Sequence, residues 1–193
     1  MNKPIDITGV VLKTDRLILR PWRELDLEDF FAYARVDGVG QMAGWLPHQE
    51  REESHRILGH FIEGKKTFAL EYQGKVIGSL GIEEYREALY PELAALQGRS
   101  IGYVLSKDYW GQGLMPEAVK AVIAWLFDAQ DLDFILISHF DWNSQSRRVI
   151  EKCGLRYIKT SRLETRCNTV ETALEYILYH PKRKRDLTGR EVN

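Results

Sequence analysis

Two glycines separated by one residue, Gly111 and Gly113, stand between two segments of different pattern. Residues Ser100 to Ser106 alternate apolar and polar and predict a strand, whereas the apolar residues after the glycines recur at helical spacing and predict a helix. A strand, a glycine turn and a helix together direct unpaired backbone N–H groups and the positive end of the helix dipole at the space above the strand's end. A phosphate or pyrophosphate suits that space.

The glycine turn does not fit the common nucleotide motifs. It lacks the Lys-Ser/Thr that follows the second glycine of a P-loop, and it lacks the third glycine and acidic partner of a dinucleotide fingerprint. A tight strand-to-helix turn with no ligand explains a bare Gly-x-Gly at least as well as anion binding does. These residues alone leave both interpretations open.

Three further residues have types that could serve a site. Glu83 and Glu84 stand where a predicted strand gives way to a long connection reaching Arg99, which we expect to form a lid. The two carboxylates are either a solvated edge or groups that reach an active site. Trp45 lies in a loop between two predicted helices and is either a core anchor or a wall of a substrate pocket.

The bulk properties exclude several classes of protein. The chain has 193 residues, 44% of them hydrophobic, and 27 basic against 28 acidic side chains. This composition predicts one soluble domain over residues 1–180 with a polar, basic tail over 181–193, and it gives no case for a nucleic-acid partner. Cys153 and Cys167 match neither a metal site nor a redox pair. With no apolar run long enough to span a membrane and no signal-peptide core, a cytoplasmic protein without a membrane partner is expected.

The remaining patterns predict a mixed order of strands and helices. The central strand and helix are followed by a buried strand and another helix, which predicts two parallel neighbouring strands. The other predicted elements are a strand over Leu12 to Trp22, a helix capped by Asp26, a helix ending near Gly64, a hairpin around Gln73-Gly74, and a final hairpin of Arg156 to Thr165 with Val170 to Tyr179.

Three separated segments together resemble the GNAT acetyltransferases, and most closely their RimJ/RimL-like branch. The segments are Thr14 to Arg20, Ile101 to Ala118 with its Gly111-Gln112-Gly113 turn, and Asn143 to Leu155. The resemblance implies a mixed α/β (α+β) fold with a strongly bent sheet, splayed central parallel strands and helices on both faces. It also implies acetyl-coenzyme A as co-substrate, with no metal.

The resemblance assigns cofactor contacts to particular residues. Backbone N–H groups of the turn hold the pyrophosphate in the family, which here implies Gly111, Gln112, Gly113, Leu114 and Met115. Val104 and Leu105 are expected to pair with the pantetheine arm, and Asn143 and Ser146 to contact the cofactor. Trp45 and Tyr103 are expected to bind the acceptor.

The implied reaction is direct transfer of the acetyl group to a primary amine in a ternary complex. The amine is a protein N-terminus, such as that of a ribosomal protein, or a small molecule, and the protein is a monomer or homodimer. Ser146 either assists the departing thiolate or caps its helix. Because Ser100 replaces the glutamate of many relatives, Glu83 or Glu84 is expected to accept the proton unless positioning alone suffices. The alternative function is a catalytically silent module that binds acyl-coenzyme A.

Overall fold

The computed structural model describes residues 1–182, which form eight strands and four α-helices. The strands are β1 (Leu12–Lys13), β2 (Leu17–Pro21), β3 (Thr67–Tyr72), β4 (Lys75–Glu83), β5 (Gly98–Leu105), β6 (Phe134–Phe140), β7 (Arg156–Glu164) and β8 (Val170–Tyr179). The helices are α1 (Leu27–Ala34), α2 (Arg51–Gly64), α3 (Leu114–Asp128) and α4 (Ser144–Lys152). Most of the predicted basic tail, residues 183–193, lies outside the described residues.

The eight strands form one mixed sheet in the order β1-β2-β3-β4-β5-β6-β8-β7. Strands β5 and β6 are parallel, and every other neighbouring pair is antiparallel. The parallel pairing extends only from Gly98 opposite Phe134 to Ser100 opposite Leu136, although β5 continues to Leu105. The two central strands therefore part after three paired positions, which confirms the predicted splay.

Helices cover both faces of this sheet, as predicted. Apolar residues of α3, such as Val119 and Val122, pack with Ile137 of β6 in the largest buried cluster, which also includes Ile150 of α4. Residues of α1 and α2 form a second cluster with Ala69 of β3. Because successive strand residues point to opposite faces, β3 supplies Phe68 and Leu70 to the first cluster and Ala69 to the second.

The long connection between β4 and β5 is packed into the core. Tyr85, Tyr90, Leu93 and Leu96 are buried and form a third cluster with Phe134. This cluster covers the end of the sheet where β5 and β6 are still paired. The connection is thus fixed in place and is not the lid that its length predicted.

Two local predictions were wrong. The segment predicted as one strand from Leu12 to Trp22 is a hairpin of β1 and β2, because Thr14 forms a turn in which its hydroxyl accepts a hydrogen bond from the Leu17 N–H. Asp26 precedes α1 but does not cap it. Its carboxylate accepts two 2.8 Å hydrogen bonds from the buried guanidinium of Arg20 instead, since a buried arginine requires a paired anion.

We expect Gly78→Ala to destabilise the fold, because its added Cβ would lie 2.4 Å from the backbone oxygen of Val104 in the neighbouring strand. The expected loss is about 1–3 kcal/mol of unfolding free energy. Gly59→Ala in α2 is the control: its Cβ would meet nothing within 4 Å, so a gain of about 0.5–1 kcal/mol is expected. Urea unfolding measures both, and equal stabilities for the two variants would contradict the close approach of β4 and β5.

Candidate functional site

A cleft of about 460 Å³ opens where β5 and β6 part. Its lining comes from the end of β5, the glycine turn, the first turn of α3, the exposed side of α4 and the loop after α1. The lining residues are Val39, Met42, Tyr103, Val104, Leu105, Tyr109, Trp110, Gly111, Gly113, Leu114, Met115, Pro116, Asn143, Gln145, Ser146, Arg148, Val149 and Lys152.

The glycine turn supplies an uncapped helix N-terminus to this cleft. Gly111 and Gly113 both have φ of 77°, a left-handed conformation that glycine adopts without strain. Gly113 is the N-cap residue of α3, and no side chain caps this helix. The first-turn N–H groups therefore have no intrahelical acceptor. The site is suited to an anion such as a phosphate.

The turn is fixed to the N-terminal part of the chain through Glu117 in the first turn of α3. The Glu117 carboxylate pairs with the Arg16 guanidinium at 2.6 Å and accepts a hydrogen bond from the Thr14 hydroxyl. Arg16 also donates to the backbone oxygen of Gln112 at 2.9 Å. Burial raises the pKa of Glu117, but the hydrogen bonds from Thr14 and Arg16 outweigh it and hold this pKa below its ordinary value.

Two basic side chains face the same cleft from α4. Arg148 and Lys152 lie one helical turn apart and both line the cleft. Within residues 1–182, neither forms an ion pair with an acidic side chain, whereas the adjacent Arg147 pairs with Glu151 at 2.8 Å. Sequence reasoning missed both residues, although their spacing of four on a helix placed them on one face. They add positive charge on the wall of the anion site.

Asn143 and Ser146 have different roles at the start of α4. The Asn143 side chain caps the helix by accepting a 3.0 Å hydrogen bond from the Ser146 N–H, and it donates to the Met42 carbonyl across the cleft. Ser146 therefore does not cap the helix. Its hydroxyl instead lies 2.8 Å from the Tyr103 hydroxyl. Burial raises the pKa of Tyr103 far above its ordinary value, so this hydroxyl remains protonated.

The end of β5 presents an unpaired backbone edge to the cleft. Val104 and Leu105 are paired with Ser79 and Gly78 of β4 on one side. On the other side, β6 has already diverged. The Leu105 carbonyl accepts a hydrogen bond from the Trp110 indole at 2.8 Å, and the remaining polar groups of this edge require partners from a ligand or solvent.

Four predicted site residues do not line the cleft. Gln112 contributes its backbone to the turn, while its side chain donates to the Asp108 carbonyl. Trp45 packs against Gly40 and lies 5.1 Å from the His48 ring.

Glu83 and Glu84 lie at the opposite end of the sheet from the cleft. Glu83 is opposite Ser100 in the β4–β5 register, and its carboxylate bonds the Lys66 ammonium at 2.7 Å. Glu84 lies 3.4 Å from Arg99. Because β4 and β5 are antiparallel, a residue at the end of β4 adjoins the start of β5, whereas the cleft adjoins its end. The structure brings together the other nine predicted residues.

Two further features are absent from the described residues, a metal-binding cluster and a membrane-spanning helix. Residues 1–182 contain no group of three or more His, Cys, Asp or Glu side chains that could hold a metal ion. The same part of the chain contains no helix long and apolar enough to cross a membrane.

The comparisons with known proteins identify the family. Residues 16–156 match the acetyltransferase (GNAT) domain family. The chain is 30% identical over 153 residues to the uncharacterized N-acetyltransferase YoaA of Bacillus subtilis (strain 168), covering 76% of this chain and 82% of YoaA. The chain therefore belongs to the GNAT acetyltransferase family.

Two of the solved structures that share the fold illustrate the similarity. One is a ribosomal-protein alanine acetyltransferase from Vibrio fischeri, with a TM-score of 0.69 and 20% identity, covering 89% of this chain and 97% of that one. The other is the microcin self-immunity acetyltransferase MccE in complex with acetyl-CoA and AMP, with a TM-score of 0.72 and 15% identity, covering 86% and 93%. At these identities the similarity concerns the fold alone.

We expect Glu117→Gln to destabilise the protein near neutral pH and to have less effect in acid. The folded-state pKa of Glu117 is lowered, so its stabilisation is present above the pKa of the unfolded chain and is lost as pH falls through the folded pKa. We expect the difference in unfolding temperature between the variant and wild type to become smaller as the pH is lowered from about 7 to about 3. Glu151→Gln removes an exposed ion pair with Arg147, so its unfolding temperature should differ little from that of wild type over the whole pH range. If the difference in unfolding temperature between Glu117→Gln and wild type were independent of pH, the ionised contact of Glu117 with Arg16 would be contradicted.

Proposed function

We propose that this protein transfers the acetyl group of acetyl-coenzyme A to a primary amine by direct attack in a ternary complex. The observation that carries the proposal is the uncapped glycine turn beside the opening between β5 and β6. The turn suits a pyrophosphate, and the unpaired edge of β5 suits the amide groups of a pantetheine arm. Both features line one continuous cleft.

In this proposal the backbone N–H groups of Gly111 to Met115, including that of Gln112, hold the pyrophosphate. Val104 and Leu105 pair with the pantetheine arm, and Arg148 and Lys152 neutralise phosphate charge from the wall of α4. Asn143 fixes the start of α4 at the edge of the cleft, since its side chain joins α4 to the loop after α1. No metal is needed.

The chemistry is attack of a neutral amine on the thioester carbonyl. A backbone N–H of Val104 or Leu105 stabilises the developing oxyanion. The Ser146 hydroxyl donates to the departing thiolate while it accepts a hydrogen bond from Tyr103, whose raised pKa keeps its proton in place. Tyr103 thus orients Ser146, and its contact with the acceptor stays a prediction of the sequence.

Neither Glu83 nor Glu84 is assigned as the proton acceptor, because each contacts a basic side chain away from the cleft. Trp45 is likewise assigned a packing role under the loop that carries Val39 and Met42. Neither of the two carboxylates that the sequence suggested as the base therefore lies in the cleft. This absence favours a second candidate function, a silent module that binds acyl-coenzyme A.

The acceptor we favour is a protein N-terminus. The three motifs that resemble the RimJ/RimL-like branch and the shared fold with a ribosomal-protein acetyltransferase both support this choice. A small-molecule amine is the other acceptor class. The cytoplasmic location and the monomeric or dimeric state stay predictions of the sequence.

Thiol release from acetyl-coenzyme A, measured across N-terminal peptides and small amines, tests the proposal. We expect turnover with at least one acceptor and loss of coenzyme A binding in Gly113→Asp, since a carboxylate would lie beside the pyrophosphate. Gly113→Asn has nearly the same shape and backbone cost without the charge, so it should bind more tightly than Gly113→Asp in calorimetry. Cofactor binding without turnover on any acceptor would support the silent module instead. Equal affinity of wild type and Gly113→Asp would refute the pyrophosphate site.

We expect Ser146→Ala to lower kcat by about 10- to 100-fold, because the thiolate loses its hydrogen-bond donor. Tyr103→Phe should lower kcat less, since it removes only the group that orients Ser146. Steady-state kinetics should show the KM for acetyl-coenzyme A changing by less than about twofold in both. Ser144→Ala, an exposed serine in the same helix turn, is the control and should match wild type. An unchanged kcat in Ser146→Ala would remove Ser146 from the mechanism.

A further inference from the structure

Two small residues, Gly102 of β5 and Ser138 of β6, lie exposed on the face of the sheet opposite α3 and α4. Ile101 and Ile137 pack into the cluster formed with those helices, so the adjacent Gly102 and Ser138 point to the other face. Both are exposed, and a Cβ added at Gly102 would meet nothing within 4 Å. Gly102 and Ser138 lie just beyond the last paired position of β5 and β6. We call this surface the acceptor groove.

Glu175 lies beside Ser138 on the same face. Its neighbours Leu174 and Tyr176 pack toward α3 and α4, so the Glu175 side chain points to the acceptor-groove face. Glu175 and Ser138 are directly opposite each other in the antiparallel pairing of β8 and β6. Side chains at such positions have Cβ atoms about 4.5–5.5 Å apart.

The Glu175 carboxylate is buried and incompletely paired. The residue is only 8% exposed, and its Oε2 atom has no hydrogen-bond partner among the described residues. Lys159 is opposite Glu175 in β7, but its ammonium donates to the Leu89 carbonyl and lies 3.6 Å from the centre of the Tyr90 ring. A buried acceptor without a donor is costly to the fold, so the unpaired oxygen indicates a ligand that donates hydrogen bonds.

The surroundings of Glu175 also suit a proton acceptor. Burial raises its pKa above the ordinary value, with no opposing contribution from a neighbouring charge. Besides Lys159, the titratable groups on this face are Glu171 and Tyr179 of β8 and Tyr85 and Tyr90 of the connection between β4 and β5. Burial raises the pKa of Tyr85 to about 12, so that hydroxyl is neutral near pH 7.

We propose that Glu175 binds the acceptor amine in the acceptor groove and removes its proton before the attack. This inference rests on the proposed function and identifies its missing base. The thioester is expected on the β5 edge of the cleft, and the acceptor groove reaches the same opening from the other face of the sheet. An amine in the groove therefore lies between Glu175 and the thioester.

The protons and bonds balance in the proposed step. An ammonium group gives one proton to the Glu175 carboxylate, and the resulting amine attacks the thioester carbonyl carbon. The new C–N bond forms as the C–S bond breaks, and the thiolate takes up the second nitrogen proton to become the thiol. Glu175 then releases its proton to solvent, so one proton is released for each ammonium acetylated.

The test compares Glu175→Gln with Glu171→Gln. Glu171 is four residues away on the same face of β8, but its carboxylate already accepts hydrogen bonds from Trp142 and Thr169. We expect Glu175→Gln to lower kcat/KM for the amine by about 100-fold or more near pH 7. The loss of kcat/KM in Glu175→Gln should become smaller as the pH rises, because the amine is then deprotonated in solution. The KM for acetyl-coenzyme A should remain within about twofold of wild type in both variants, and Glu171→Gln should retain wild-type kcat/KM.

A second variant tests the groove without touching the carboxylate. Ser138→Leu places bulk at an exposed position opposite Glu175, so it should fold and should raise the acceptor KM by about 10-fold, with acetyl-coenzyme A binding unchanged. Thermal unfolding of each variant checks that it is folded.

The possible failures are distinguishable. If wild type releases thiol with an amine but Glu175→Gln keeps its kcat/KM and pH profile, the inference is wrong while the proposed function stands. If Ser138→Leu leaves the acceptor KM unchanged, the groove is not the acceptor site. If wild type itself shows no turnover with any amine, both the proposed function and the base assignment are wrong.

Discussion

The structure depends on the early end of hydrogen bonding between two parallel strands. Strands β5 and β6 pair from Gly98 to Ser100 and then diverge, although both continue for several residues. Within an unbroken sheet, the backbone groups beyond Ser100 would be satisfied by β6. Here they face a cleft instead, and an open edge inside a folded domain needs a ligand or water to satisfy it. The divergence thus creates both the space and the polar groups of the site.

The same divergence explains why the supporting contacts are arranged as they are. A strand end without a neighbour must be held from elsewhere, and β5 is held by β4 on one side and by the Trp110 indole at the Leu105 carbonyl. The glycine turn that follows is held by Arg16 and Glu117. These contacts position the N-terminus of α3 without covering it, because no side chain caps that helix.

In the proposed reaction the two faces of the sheet have separate tasks. The face toward α3 and α4 carries the groups assigned to the donor, including the glycine turn and Ser146. The opposite face carries the acceptor groove with Gly102, Ser138 and Glu175. The opening between the diverging strands connects the two faces, so donor and acceptor approach from opposite directions and meet at one point. The assignment of Glu175 as base fits this division, whereas Glu83 and Glu84 contact Lys66 and Arg99 away from the cleft.

The local features of the site were determined by the sequence alone. The Gly111 and Gly113 turn, the strand before it and the helix after it are encoded by residues close together in the chain, and local spacing predicts them. Three motifs in order also indicated the family. Only the tertiary structure brought Arg16 to Glu117, which are 101 residues apart. It also placed Glu83 beside the start of β5, whereas the cleft adjoins the end of that strand. Glu175 has the pattern of an ordinary polar strand residue, because burial and the absence of a partner depend on neighbours that no local pattern specifies.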